Sequence, residues 1–331
     1  MLMTDIFGTW GPSCNSEDVL TNMYKEGMTG IRVNLSHTML ADCREGFKII
    51  KSSADLANVS TKILIDLQGP ELRIGKLDAD IPLKEGNLLT FGDNGVSIDK
   101  RIFDAIEVGD EILLDDGKIM VKAENVSSDR IEGRVIRGGI LKSRKSILVI
   151  GKQIDMPTLT DADISNIKEA AKMSVAGVML PFVRSSKDII TLRKALVDND
   201  ASHIKIYAKI ENRSGIEMID SLIPEADEIV IARGDLGNSM PLWELPGVQK
   251  RIAAKCAAKN KPFMVVTQML SSMEKSAVPT RAEVSDIFNA ILDGATSVMV
   301  TGETAVGDYP IEVIRYLYRT TVEAKEFLRK I

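Results

Sequence analysis

The 331-residue chain reads as an α/β protein: a (β/α)8, or TIM, barrel with a small all-β domain inserted after its third strand. Three patterns predict this. Eight short runs are apolar on both faces, as parallel strands covered on each side require. Amphipathic stretches of helical period lie between most of them, and strand alternating with helix indicates a parallel sheet. One interval, 69–146, lacks helical period and shows short β segments separated by Gly-Asp, Asp-Gly and Gly-Gly. The count of eight favours a closed barrel over an open sheet, and the length suits a barrel of roughly 250 residues plus an insertion.

The strand candidates are 5–10, 30–34, 62–66, 176–180, 205–209, 227–231, 263–267 and 296–300. Helices are expected over 16–26, 39–57, 160–173, 185–198, 248–259 and 308–329. The barrel is expected to comprise 1–68 and 147–331, and the insertion 69–146, with LLTFG, EILLDDG, KIMVKAENV and RIEGRVI as its strands. Both ends of the insertion return to one rim of the barrel, so it is expected to close over the mouth as a lid.

Composition narrows the function classes. Hydrophobic residues make up 44% and charged residues 27%, the range of an ordinary globular protein. The net charge is −5 and no Lys/Arg-rich run occurs, so a nucleic-acid partner is not expected. The three cysteines, Cys14, Cys43 and Cys256, are odd in number and lack metal-finger spacing. No disulfide framework is expected, and a reducing, cytoplasmic setting is the simplest reading. No apolar stretch reaches the ~18–20 residues of a membrane helix. Residues 1–10 have no basic region before an apolar run, so they read as the first strand and not as a signal peptide.

Chemistry in such a barrel sits at the carboxyl ends of the strands, and polar residues gather there. The second strand ends in Arg32-Val-Asn34-Leu-Ser36-His37, and the third in Asp66, followed by Gly69, Glu71 and Arg73. The fifth to eighth end in Lys209-Ile-Glu211-Asn212, Ala232-Arg233-Gly234-Asp235, Thr267-Gln268 and Thr301-Gly302-Glu303-Thr304. Strand side chains alternate, so Lys209 and Glu211 share a face, and Arg233 and Asp235 repeat the pattern one strand later. Two carboxylates on adjacent strands suit Mg²⁺ or Mn²⁺, which take one or two protein carboxylates and leave positions for water and substrate oxygens. Lys209 then stands where charge develops on a substrate oxygen. The same spacing is compatible with two salt bridges, Lys209–Glu211 and Arg233–Asp235. Arg32, Asn34 and Ser36 also share a face; they suit a phosphate or a cation, or an ordinary strand-end turn. Gly234 and Gly237 fit a close backbone approach or a tight turn. Thr267 alone reads as a strand-end threonine bonded to backbone, and His37 as a solvated loop histidine. No Ser-His-Asp or Cys-His arrangement, P-loop or GxGxxG is readable.

These residues resemble the pyruvate kinase family. The resemblance is carried in order by Gly11-Pro12, Arg32-Val-Asn-Leu-Ser-His37, Asp66-Leu-Gln-Gly-Pro-Glu-Leu-Arg73, Asp115-Asp116-Gly117, Lys209-Ile-Glu-Asn212, Ala232-Arg-Gly-Asp-Leu-Gly237, Thr267-Gln-Met-Leu270, Pro279-Thr-Arg-Ala-Glu283, Asp293-Gly-Ala295 and Gly302-Glu-Thr-Ala-Val-Gly-Asp-Tyr-Pro310. It covers essentially the whole chain. It implies phosphoryl transfer between phosphoenolpyruvate and ADP, giving pyruvate and ATP through an enolate, with Mg²⁺ or Mn²⁺ and K⁺. Glu211 and Asp235 would hold the divalent metal, and Asn34, Ser36, Asp66 and the carbonyl of Leu67 the K⁺. Lys209 would steady the enolate, Arg32 would bind the phosphate, and Thr267 would join them as the third catalytic residue. Gly234, Asp235 and Thr267 would cradle the carboxylate of the pyruvate moiety, Ala232 and Arg233 would belong to the substrate-binding set with them, and Asn34, His37 and Arg73 would lie on the nucleotide side.

The chain departs from the family pattern where phosphates would lie. Asn15 replaces an Arg, Gln68 and Val306 each replace a Lys, and Pro181 replaces a Ser. In phosphoryl transfer such cations hold and neutralise the phosphates. The sequence runs only through the eighth barrel helix, so a counterpart of the family's C-terminal regulatory domain is not expected. A metal-dependent lyase, decarboxylase or enolate-forming enzyme acting on pyruvate or a related oxo acid, or a non-catalytic phosphoenolpyruvate-binding paralogue, are the alternatives. By analogy alone, barrel-to-barrel contact would allow a homo-oligomer.

Overall fold

The computed structural model describes residues 4–36, 38–70, 72–115, 117–152, 154 and 156–330. The chain forms two compact units, Met1–Gly69 with Thr158–Ile331, and Pro70–Pro157. Strands β1 (Asp5–Thr9), β2 (Gly30–Asn34) and β3 (Lys62–Asp66) open the larger unit.

The smaller unit follows. It holds β4 (Ile81–Leu83), β5 (Leu88–Gly92), β6 (Glu111–Leu114), β7 (Ile119–Val126), β8 (Arg130–Arg137), β9 (Gly139–Leu141) and β10 (Ile147–Val149). Five of these form an antiparallel sheet in the order β10-β6-β7-β8-β5, and β4 pairs with β9. Phe91, Ile102, Ile112, Val121 and Ile131 anchor its own apolar core. This unit runs past 146, because β10 pairs Ile147 with Leu114 and Val149 with Ile112. It also contains a helix, Lys100–Ala105, capped by the Asp99 carboxylate accepting from the Arg101 amide. Six residues are too few to display a helical period.

The chain then returns to the larger unit with β11 (Gly177–Leu180), β12 (Lys205–Ile210), β13 (Glu228–Ala232), β14 (Phe263–Val266) and β15 (Ser297–Met299). Among the described residues, eight parallel strands close a barrel in the order β1-β15-β14-β13-β12-β11-β3-β2. The two-sided apolar pattern has a direct cause. Alternate residues such as Phe7, Leu64, Met179, Val230, Met264 and Met299 fill the lumen as one buried cluster. Their neighbours, among them Ile6, Ile63, Val178, Ile229, Val265 and Val298, pack outward in the main core. Gly30 makes room for this filling: a Cβ there would stand 2.3 Å from the Phe7 ring and 2.6 Å from the Lys62 carbonyl oxygen.

Helices Glu17–Lys25, Arg44–Leu56, Asp161–Ala170, Ser186–Asp198, Leu245–Ala258 and Pro310–Lys330 lie where helices are expected. Helix Arg281–Leu292 adds to them, and its start is written in the sequence as a capping box, Thr280 with Glu283. No helix among the described residues is long and apolar enough to cross a membrane.

Candidate active site

Four charged side chains meet at the carboxyl ends of β2, β3 and β12. Arg32 donates from Nε to Asp66 Oδ2 at 2.8 Å, and its Nη2 approaches the same oxygen at 2.7 Å. Lys209 Nζ donates to both Asp66 oxygens at 3.2 Å and pairs with Glu211 Oε1 at 3.0 Å. Glu211 Oε2 accepts the Phe182 amide at 2.8 Å. The Asp66 and Glu211 residues are only 2% and 3% exposed, so both carboxylates depend on their partners for solvation. Register explains the meeting: β2 and β3 place Asn34 beside Asp66, and Lys209 lies two strands away across β11.

Burial and charge pull these groups apart. Burial alone would raise Asp66, but Lys209 and Arg32 together hold its carboxyl below the usual range. Burial alone would lower Lys209, but Asp66 and Glu211 outweigh it and keep the ammonium charged. For Glu211, burial prevails over the pull of Lys209, and the charge of Asp235 adds to it, so the carboxyl is pushed up to about 7. An acid raised by burial and by a second carboxylate is the environment a divalent cation relieves. Glu211 and Asp235 fit such an ion. Among the described residues no group of three or more His, Cys, Asp or Glu side chains converges.

The sixth strand end departs from the expected alternation. β13 ends at Ala232, and Arg233–Asn238 is a short helix. Arg233 and Asp235 therefore do not share a strand face. Arg233 pairs instead with Asp286, donating from Nη1 to its oxygens at 2.8 and 2.7 Å. Its Nε and Nη2 donate to the Thr267 carbonyl at 3.1 and 2.7 Å. The Arg233 side chain is thus committed within the protein and not to the substrate binding expected of it. Thr267 stands at φ +78 and Gln268 at φ +55, both left-handed and both non-glycine. Gly234 permits this approach, since a Cβ there would stand 3.1 Å from Thr267 Cγ2.

The remaining residues divide. Asn34 Oδ1 accepts from the Ser36 amide at 3.2 Å and the Ser36 hydroxyl at 3.0 Å, a local turn at the end of β2. The Leu67 amide donates to the Met179 carbonyl at 3.2 Å and continues the ladder past β3. Arg73 belongs to the smaller unit, where Nη1 donates to the Arg144 carbonyl at 2.8 Å. His37 lies outside the described residues.

Comparison with known proteins fixes the lineage of this arrangement. The model of the pyruvate kinase barrel domain matches residues 1–314. The chain belongs to the pyruvate kinase family. It is 36% identical over 336 residues to the pyruvate kinase of Geobacillus stearothermophilus, covering 98% of this chain and 57% of that protein. It is 34% identical over 322 residues to the pyruvate kinase of Aeropyrum pernix, covering 96% of this chain and 70% of that protein. The chain thus spans 57% of the length of the first of these relatives and 70% of the second.

The four positions that depart from the expected family pattern lie in the barrel unit. Asn15 is exposed at the end of the short helix Pro12–Cys14, and Val306 is 57% exposed after helix Gly302–Ala305. Gln68 is half-buried, its amide held by Asp163 Oδ1 at 3.1 Å. Pro181 is buried against Gly69, where a Cβ would stand 2.5 Å from its Cγ.

Three further carboxylates hold these strand ends: Glu303, one of the polar residues expected at the eighth strand end, and Asp163 and Asp286, which no motif singled out. Asp163, fully buried, accepts the Gln68 and Gly69 amides through Oδ1 and the Thr160 amide and hydroxyl through Oδ2. Its signal is the capping box Thr160–Asp163. Glu303, 1% exposed, accepts the Leu270 amide at 3.2 Å and the Thr301 amide at 2.7 Å. Asp286 is the third, and only the pairing with Arg233 reveals it.

Proposed function

We propose that the barrel catalyses metal- and K⁺-dependent phosphoryl transfer between phosphoenolpyruvate and ADP, giving pyruvate and ATP. The observation that carries this reading is the buried quartet Arg32, Asp66, Lys209 and Glu211 in a pyruvate kinase barrel. Arg32 binds the phosphate of the substrate. As the bond from phosphorus to the enol oxygen breaks and a bond to the terminal ADP oxygen forms, negative charge is left on the enolate oxygen. Lys209, kept charged by Asp66 and Glu211, stands to meet it. Its ion pairs fix the ammonium before reaction, so little reorganisation accompanies the transfer. Glu211 and Asp235 hold the divalent ion, which supplies Lewis-acid charge to the substrate oxygens when bound. Ala232, Gly234, Asp235 and Thr267 line the carboxylate, and Asn34, Ser36, Asp66 and Leu67 hold the K⁺. The enolate then takes a proton at its methylene carbon.

A second reading is favoured by Asn15, Gln68 and Val306, which leave the phosphate side short of cations. On that reading the same metal and lysine serve enolate formation from pyruvate or a related oxo acid, without nucleotide. Incubation with Mg²⁺ or Mn²⁺, K⁺, phosphoenolpyruvate and ADP separates the two. ATP formation supports the kinase. Metal-dependent proton exchange at the methyl of pyruvate without ATP supports the second reading. Tight phosphoenolpyruvate binding with neither activity marks a binding protein and refutes both.

A further inference from the structure

We propose that Arg233 is a positioning residue: its guanidinium holds the backbone of Thr267 and Gln268 in the left-handed conformation and so sets where the Thr267 side chain stands. This rests on the reading of Thr267 as part of the oxo-acid cradle.

Two consecutive non-glycine residues with positive φ, 78 and 55, are costly, and one of them is β-branched. Such a backbone persists only when its surroundings over-determine it. Here one side chain reaches the carbonyls of both residues. Arg233 is 10% exposed. Nε and Nη2 grip the Thr267 carbonyl at 3.1 and 2.7 Å, and Nη2 also reaches the Gln268 carbonyl at 3.2 Å and Met269 Sδ at 2.9 Å. From the opposite edge, Asp286 takes Nη1 through both carboxylate oxygens and anchors the plane. A guanidinium offers its donors in a rigid planar fork, which lysine cannot imitate. The next residue, Gly234, carries no side chain to obstruct the Thr267 methyl. The arginine thus reaches the loop after β14 from the end of β13, and its donors are spent on protein groups instead of on a ligand.

The test uses four variants of the full chain: Arg233→Met, Arg233→Lys, Gln268→Gly, and Arg233→Met combined with Gln268→Gly. Arg233→Met is expected to lower kcat/KM for the oxo-acid substrate by about 100-fold, the scale of a small misplacement in a reactive geometry. Mn²⁺ affinity should stay unchanged, and Arg233→Lys should recover little. Glycine adopts the left-handed region without penalty, so Gln268→Gly should restore much of the activity in the Arg233→Met background and leave the parental value nearly intact. A substrate-binding role for Arg233 would give no such rescue. A crystal structure of Arg233→Met should show Thr267 out of the left-handed region, and this readout stands even if the parental chain turns over no phosphoenolpyruvate. Should Arg233→Met not fold, Asp286→Asn, which removes the anchor and keeps the guanidinium, is read in the same way. Left-handed Thr267 and Gln268 retained in the variant, or a double variant no more active than Arg233→Met, would overturn the proposal.

Discussion

Replacing Asp66 by Asn tests the physics of the site without requiring a known substrate. The folded chain places Arg32 and Lys209 against Asp66, with Glu211 on the far side of Lys209. Asp66 is the counterion that both cations share. Asparagine keeps the shape and removes that charge, leaving Arg32 stripped of its carboxylate partner. The amide also cannot replace the carboxylate's contacts. Oδ2 accepts from Arg32 and Lys209, and Oδ1 from Lys209, so the NH2 group faces a donor whichever way it turns. Breaking a buried pair by removing one partner costs about 3–5 kcal/mol. At about 2–4 °C per kcal/mol for a domain of this size, Tm should fall by roughly 6–20 °C. Calorimetry of the parental chain, Asp66→Asn, and Asp66→Asn with Arg32→Met measures it. The second change removes the orphaned cation and should recover part of the loss. A fall below about 3 °C, or further loss in the double variant, would refute the charge-compensation argument.

Other predictions concern the floor of the barrel and the phosphate side. Glu228 is buried at the start of β13 and accepts the Ser297 hydroxyl. Burial, opposed by Ser297 and aided by Asp5, pushes it from 4.5 to about 7. The folded state then holds a proton that the unfolded chain loses, so this contribution to stability is fully present below pH 4.5 and is lost as pH rises to about 7. Glu228→Gln should therefore flatten the pH profile of unfolding and raise Tm relative to the parental chain at pH 8 more than at pH 4.5; equal shifts at both would refute the assignment. Restoring cations with Asn15→Arg, Gln68→Lys and Val306→Lys should raise kcat/KM for ADP by about tenfold or more, since a charged hydrogen bond contributes about 1.5–3 kcal/mol. An unchanged value would show that these positions do not face phosphate.

The barrel was legible because each strand is buried on two sides, which writes a plain apolar run in sequence. The pair Lys209 and Glu211 was legible because Lys209 lies on β12 and Glu211 directly follows its last residue; the ion pair and the candidate site are here the same object. Arg233 and Asp235 were misread because the strand stops at Ala232, and glycines at 234 and 237 hide the helical turn that follows. The role of Asp66 as the counterion between Arg32 and Lys209 depends on barrel closure, which no local pattern records. Asp286 is more distant still, acting from helix Arg281–Leu292 on a loop whose strain has no compositional mark.

The central claim is that Glu211 and Asp235 make a divalent-metal site coupled to an oxo acid. Titration of Mn²⁺ by electron paramagnetic resonance, with and without phosphoenolpyruvate, tests it most directly in the parental chain and in folded Glu211→Gln. One Mn²⁺ site is expected in the parental chain, tightened by phosphoenolpyruvate, with Mn²⁺ tightening phosphoenolpyruvate by the same factor. Loss of that site is expected in the variant. Equal Mn²⁺ binding by the two proteins, or no effect of phosphoenolpyruvate on it, would contradict the account.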